Sequence, residues 1–293
     1  MSQFLLEQKG KRLLDTFLND YKNICGVDDA FLEQTREYIK SNERFDYLTE
    51  KWYEWLEAEG VDKAYEVYSD EHYLTDQFNC FRVYARAYLR ALSKSTKLIP
   101  QPLTEFTKDA SSIVDVGNGI GYSTSILSEL YPGKITFGTN LKGTDQWKFA
   151  SEMGRKYKFH MVEDVKDIAV TGGLVFASEY FEHFLDPIMH VEHIVEQINP
   201  KYFVIANAFN TMFPDLEAKV GGETGIDISP KGSDKSQILE EFDKNDTLHF
   251  FGDGIFPGGN DWSIATAIAE QNRGTFYKVT DWTDTFNKLK ELS

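Results

Sequence analysis

The stretch SSIVDVGNGIGYSTSIL, residues 111–127, decides the fold. An apolar run ends in Asp115, glycines stand at positions 117, 119 and 121, and apolar residues then recur at helical spacing. A short apolar run feeding through a glycine turn into a helix is the opening of a βαβ unit laid against a parallel sheet. Gly117 and Gly119 lack a Cβ, so they adopt backbone angles closed to other residues and let a ligand come close to the main chain. The turn is read as a binding surface on that ground.

The pattern repeats downstream. Apolar runs at 112–116, 134–139, 158–162, 173–178 and 202–207 read as strands, with helices at 122–131, 144–157 and 187–198 between them. Alternation of this kind predicts an α/β, Rossmann-like, mostly parallel sheet with helices on both faces and a ligand at the C-terminal ends of the strands. Further on, 221–235 (GGETGIDISPKGSDK) reads as a lid or loop, 274–282 as a last strand and 284–292 as a terminal helix.

Upstream the signal is helical. Segments 4–24, 28–41, 45–60 and 72–93 carry apolar residues at three- and four-residue steps. An all-helical region over 1–98 is expected, then a Pro-Gln-Pro connection, then a ligand-binding domain over 110–293. The aromatics of the helical region (Tyr47, Trp52, Trp55, Tyr65, Tyr68, Tyr73, Phe78, Phe81, Tyr84, Tyr88) are expected to be helix-packing core.

The chain has 293 residues, of which 41% are hydrophobic, enough for a substantial core. Its 31 Lys and Arg against 47 Asp and Glu leave a formal net charge of −16, which disfavours long nucleic acid as a partner. No apolar run has the length of a membrane span and the N-terminus is charged, so no membrane partner is expected and a soluble, cytoplasmic protein is. Cys25 and Cys80 are expected to be reduced thiols.

Asp-Val-Gly-Asn-Gly-Ile-Gly (115–121) resembles motif I of the class I S-adenosylmethionine-dependent methyltransferases. A dinucleotide fingerprint would want a glycine where Tyr122 stands, which weakens a dehydrogenase reading. The resemblance implies that Asp115, Gly117, Asn118, Gly119 and Gly121 hold the S-adenosyl-L-methionine cofactor. It further implies that Asn140 stands where an acidic residue meets the ribose, that Asp164 stands at the adenine, and that Ser178 lies beside the cofactor.

ASEYFEHFLDP, 177–187, is similar to stretches in the ubiquinone-type O-methyltransferases and in the enzymes that methylate the 3′-terminal 2′-hydroxyl of small RNAs. On a helical turn Glu179, Glu182 and His183 fall at i, i+3 and i+4 and share one face. Two carboxylates and an imidazole suit Mg²⁺ or Mn²⁺, and the resemblance to the RNA-end enzymes implies His249 as a further ligand; otherwise His183 acts as a general base without metal.

The expectation is therefore a methyltransferase acting on a hydroxyl or amine of a small-molecule or nucleotide-type acceptor. A metal-assisted RNA-end 2′-O-methyltransferase and a non-catalytic S-adenosylmethionine-binding protein are the alternatives. The oligomeric state is not legible.

Overall fold

A computed structural model describes residues 5–41, 46–93, 102–184, 187–206, 249–251 and 275–277. The segment at 221–235 and the terminal helix expected at 284–292 lie outside the described residues.

The helical region begins with a short 3₁₀ turn, Leu5–Glu7, followed by α1 (Gly10–Cys25), α2 (Asp29–Ser41), α3 (Asp46–Glu59) and the single turn α4 (Val61–Ala64). After a second 3₁₀ turn, Tyr65–Ser69, come α5 (Tyr73–Cys80) and α6 (Arg86–Ser93), and then the short α7 (Leu103–Phe106). A π turn, Phe81–Ala85, divides what the sequence periodicity predicts as one helix over 72–93. Helix α1 ends where Gly26 turns left-handed (φ 74°) and its N–H closes back on the Lys22 carbonyl, the usual glycine stop.

The sheet follows. Strands β1 (Ser112–Val116), β2 (Ile135–Thr139), β3 (His160–Val162), β4 (Leu174–Ser178), β5 (Tyr202–Ala206), β6 (His249–Phe251) and β7 (Thr275–Tyr277) pair in parallel in the order β3-β2-β1-β4-β5-β6-β7. Helices α8 (Tyr122–Leu130), α9 (Asp145–Tyr157) and α10 (Pro187–Ile198) are the crossovers. Every residue of β1 is buried, as expected of a central parallel strand covered on both faces. The order reverses between β1 and β4, and crevices for ligands form at such switch points.

One face of the sheet packs on α10 through Val114, Val175, Phe203, Ile194 and Ile198. On the other, a single hydrophobic core joins the helical region to the sheet: Phe17, Phe78 and Leu89 share it with Ile113, Tyr122, Phe149 and Phe176. Phe17 stacks on Phe78 with ring centroids 4.2 Å apart and meets Phe149 of α9 at 6.0 Å. Tyr122 donates a hydrogen bond of 2.9 Å to Asp20 of α1. Buried Arg86 ties the start of the chain to α6 by donating to the carbonyls of Leu6 and Gln8. A smaller cluster of Leu48, Trp52, Ala64 and Val67 lies around α3. Among the described residues no helix is long and apolar enough to cross a membrane, and both cysteines are free thiols.

Candidate functional site

A cavity of about 720 Å³ opens where the C-terminal ends of β1, β2 and β4 meet the helical region. Its floor is the glycine turn. Gly117, Gly119 and Gly121 all take positive φ (65°, 52° and 76°), so this backbone path is open to glycine and strained for other residues. The turn is pinned to β2: the Gly117 N–H donates to Thr139 Oγ1 at 3.0 Å and the Asn118 N–H to the Thr139 carbonyl at 3.0 Å. Asn118 donates from its side chain to Thr124 Oγ1 at 3.0 Å. Asn140 donates to the Gly119 carbonyl at 2.7 Å and to Asn118 Oδ1 at 3.2 Å, while its own Oδ1 accepts from the Leu141 N–H. The amide expected to meet a ribose is thus committed to holding the turn.

Asp115 is buried and accepts from Ser123 Oγ (2.6 Å) and Thr124 Oγ1 (2.7 Å), bracing the first turn of α8. Burial raises its pKa to about 7 against the opposing effect of those two hydroxyls.

The space that the glycines leave bare is taken by the protein itself. A Cβ on Gly117 would run into the Tyr180 ring, 2.7 Å from Cε2, and one on Gly119 would overlap the end of the Gln77 side chain, whose Cδ is 3.1 Å away. Gln77 is held there by donating to the Tyr73 hydroxyl at 2.9 Å. Tyr180 is held by a 2.7 Å hydrogen bond between its hydroxyl and His190 Nε2, and His190 in turn stacks on Phe184 at 4.0 Å. The close approach expected of a cofactor is made by a tyrosine ring and a glutamine amide.

The SEYFEH stretch does not form the helical face expected of it. Ser178 ends β4, Glu179 turns left-handed (φ 50°), and only Phe181–His183 form a 3₁₀ turn, so Glu179 and His183 do not stand one helical turn apart. The Glu182 side chain lies outside the described residues. His183 is oriented by the helical region: its Nδ1 lies 2.8 Å from the Tyr68 hydroxyl, and its carbonyl accepts from the Tyr65 hydroxyl at 2.6 Å. Burial lowers the His183 pKa to about 4, which leaves the ring neutral at pH 7.

His249 pairs with Tyr202, which pairs with Leu174, whereas Ser178 pairs with Ala206. Four residues of strand, about 13 Å, separate the level of His249 from the end of β4 that leads to His183, so its position at the far end of the sheet corrects the proposed ligand set. Among the described residues no group of three or more His, Cys, Asp or Glu is placed to hold a metal ion.

Asp164, expected at the adenine, is engaged within the protein. It accepts from the Lys166 N–H at 3.0 Å and pairs with His193 Nε2 at 3.0 Å. Burial alone would raise its pKa; those two partners bring it down to about 2.

Residues that the pattern reading left in the core prove to line the cavity. Trp52, Phe78, Phe81 and Tyr88 are buried as expected, but Trp52 and Phe81 also form cavity wall, together with half-buried Tyr65, Tyr68 and Tyr73. The side chains of Tyr47 and Tyr84 lie outside the described residues. Asp76 and Gln77 carry no sequence signal beyond their place in an amphipathic helix, because their importance depends on what folds against them.

Comparison with known proteins points away from the glycine turn. Residues 192–293 match the family model described as eukaryotic phosphomannomutase, roughly the last third of the chain. Phosphomannomutase 1 of Dictyostelium discoideum is 40% identical over 79 residues, covering 26% of this chain and 30% of that protein. The phosphomannomutase of Babesia bovis is 34% identical over 107 residues, covering 36% and 39%. The chain thus spans about a third of the length of these curated relatives. Among solved structures, a plantazolicin methyltransferase with S-adenosylhomocysteine aligns over 56% of this chain and 58% of its own, at 18% identity and a TM-score of 0.28. A Synechocystis magnesium protoporphyrin IX methyltransferase aligns over 54% and 74%, at 13% identity and a TM-score of 0.30. Alignments this loose carry no assignment.

The phosphomannomutase similarity overturns the expected membership of the S-adenosylmethionine-dependent methyltransferases, and with it methyl transfer, the transferase class and S-adenosylmethionine as cofactor. The matched range includes the Gly- and Asp-rich FGDGIFPGGND (251–261) and SPKGSDK (229–235), which the pattern reading did not use as motifs. The α/β architecture stands, and what this chain resembles over residues 192–293 is a phosphomannomutase.

Proposed function

We propose that this chain acts as a sugar-phosphate mutase, moving a phosphoryl group from one hydroxyl of a mannose phosphate to another. The observation that carries this reading is the family match over 192–293. The matched range supplies β5, β6 and β7, three adjacent strands of the same parallel sheet.

Phosphoryl transfer is catalysed mainly by positioning and by positive charge around the migrating group. The matched segment supplies cations in its sequence at Lys231 and Lys235, which lie outside the described residues. A divalent ion would add charge neutralisation, but the described residues do not fit one, and no step is assigned to a metal. The substrate is a small molecule, in keeping with a net charge of −16 that repels long polyanions.

The test is ³¹P NMR of the full chain incubated separately with mannose 1-phosphate and mannose 6-phosphate, with and without Mg²⁺. Each sugar phosphate is expected to yield the other, and Lys231→Ala and Lys235→Ala to slow the exchange. Failure to convert either compound under any of these conditions would falsify the mutase reading.

A further inference from the structure

The cavity of about 720 Å³ is built by residues from Leu48 to Phe184, all outside the range that matches phosphomannomutase. A volume of this size is that of a small-molecule site, and its character is specific. One wall is aromatic. Trp52 meets Tyr65 edge-on at 5.4 Å, Tyr65 stacks with Tyr68 at 5.8 Å, and Tyr68 meets Tyr73 edge-on at 5.1 Å.

The carboxyl side chains lining it have no basic counterpart in the described wall. Asp76, Asp115, Glu163 and Glu179 face it, and no Lys or Arg is among the described lining residues. Asp76 is the group whose place needs explaining. It is 9% exposed, and no described donor of the protein reaches its Oδ1. Buried carboxyl oxygens in folded proteins have hydrogen-bond partners; Asp76 Oδ1 is closed off from the cavity, and an occupant meets this residue where the rest of it lines the wall.

We propose that this cavity binds a small organic ammonium ion, with its cationic head at Asp76 and its apolar body against the wall of Trp52, Tyr65, Tyr68 and Tyr73. A carboxylate beside aromatic faces is the arrangement that recognises ammonium groups: the ring quadrupoles attract the charge while the carboxylate accepts its N–H bonds. No Lys or Arg among the described lining residues is there to pair with an anionic ligand.

Benzylamine, benzyl alcohol and phenylacetate share one apolar body and differ in charge. Calorimetric titration of the full chain is expected to give benzylamine at least about tenfold tighter than benzyl alcohol, which is ~1.4 kcal/mol, and no binding of phenylacetate. In Asp76→Asn the preference for the amine over the alcohol should fall below about threefold. Equal affinity of the amine and the alcohol in the native chain, which needs no variant to fold, overturns the proposal. So does a preference that survives Asp76→Asn. Displacement of benzylamine by mannose 6-phosphate would assign the cavity to the sugar phosphate and also overturn it. The mutase assay reads a different segment with different compounds, so either idea can fail alone.

Discussion

The Tyr180 ring occupies the space that a side chain at Gly117 would need, with Cε2 2.7 Å from where a Cβ would stand. The glycine is there for the protein's own packing. Gly117→Ala meets both the ring and a φ of 65°. Strain of about 1–2 kcal/mol for the left-handed backbone and about 1–3 kcal/mol for overpacking should combine. Chemical denaturation of Gly117→Ala, Tyr180→Ala and the double variant measures this. The double variant should be more stable than the sum of the two single losses allows; strict additivity would show that the ring and the glycine are uncoupled.

Asp76 makes stability depend on pH. Burial, with Asp70 nearby, raises its pKa from 3.8 to about 8. The folded state therefore binds this proton more tightly than the unfolded state, and the contribution of Asp76 worsens as pH rises from about 4 to about 8. Asp76→Asn removes the titration, so its Tm should fall less than that of the native chain between pH 5 and pH 8. Parallel curves for the two proteins would refute the assignment.

Two histidines act in the opposite sense. Burial lowers His183 from 6.5 to about 4, and it lowers His190 to about 4 with help from His193. Their stabilising contribution is whole above about pH 6.5 and is lost as pH falls through 4. In an NMR titration both imidazoles should remain neutral at pH 5.5, a pH at which an ordinary histidine is mostly protonated. Midpoints near 6.5 would contradict their burial.

Tyr68→Phe leaves His183 Nδ1 without the hydroxyl that lies 2.8 Å from it. The cost should be about 1–3 kcal/mol, that of a buried polar atom stripped of its partner. Thr144→Ala is a useful contrast. Its hydroxyl caps α9 by accepting from the Trp147 N–H at 3.2 Å, and its loss should cost about 1 kcal/mol with no change at the cavity. Equilibrium denaturation together with benzylamine titration separates the two variants.

The sheet was legible in the sequence because parallel strands buried on both faces are continuous apolar runs. SIVDV and LVFAS could be little else once glycine or polar residues bounded them. The helices of the first 93 residues were legible from their periodicity, apart from the π turn at Phe81–Ala85, where no Pro or Gly marks the break. The occupant of the glycine turn was not legible. A glycine announces that something comes close, and here that is Gln77, 42 positions away along the chain, and Tyr180, 63 positions away. Asp76 gave no signal either, because its isolation follows from the elements folded around it. The resemblance to methyltransferases rested on the glycine turn and on ASEYFEHFLDP, whereas the family match falls in the last third of the chain, which the pattern reading divided into loop, strand and a terminal helix.

The core that Phe17, Phe78 and Leu89 share with Tyr122, Phe149 and Phe176 has a practical consequence for anyone who wishes to cut this chain. A fragment starting at residue 110 would carry the rings of Tyr122 and Phe149 uncovered to water, and such a surface invites self-association. Expression of that fragment alone should give aggregates, and adding residues 5–93 as a separate peptide should return it to solution.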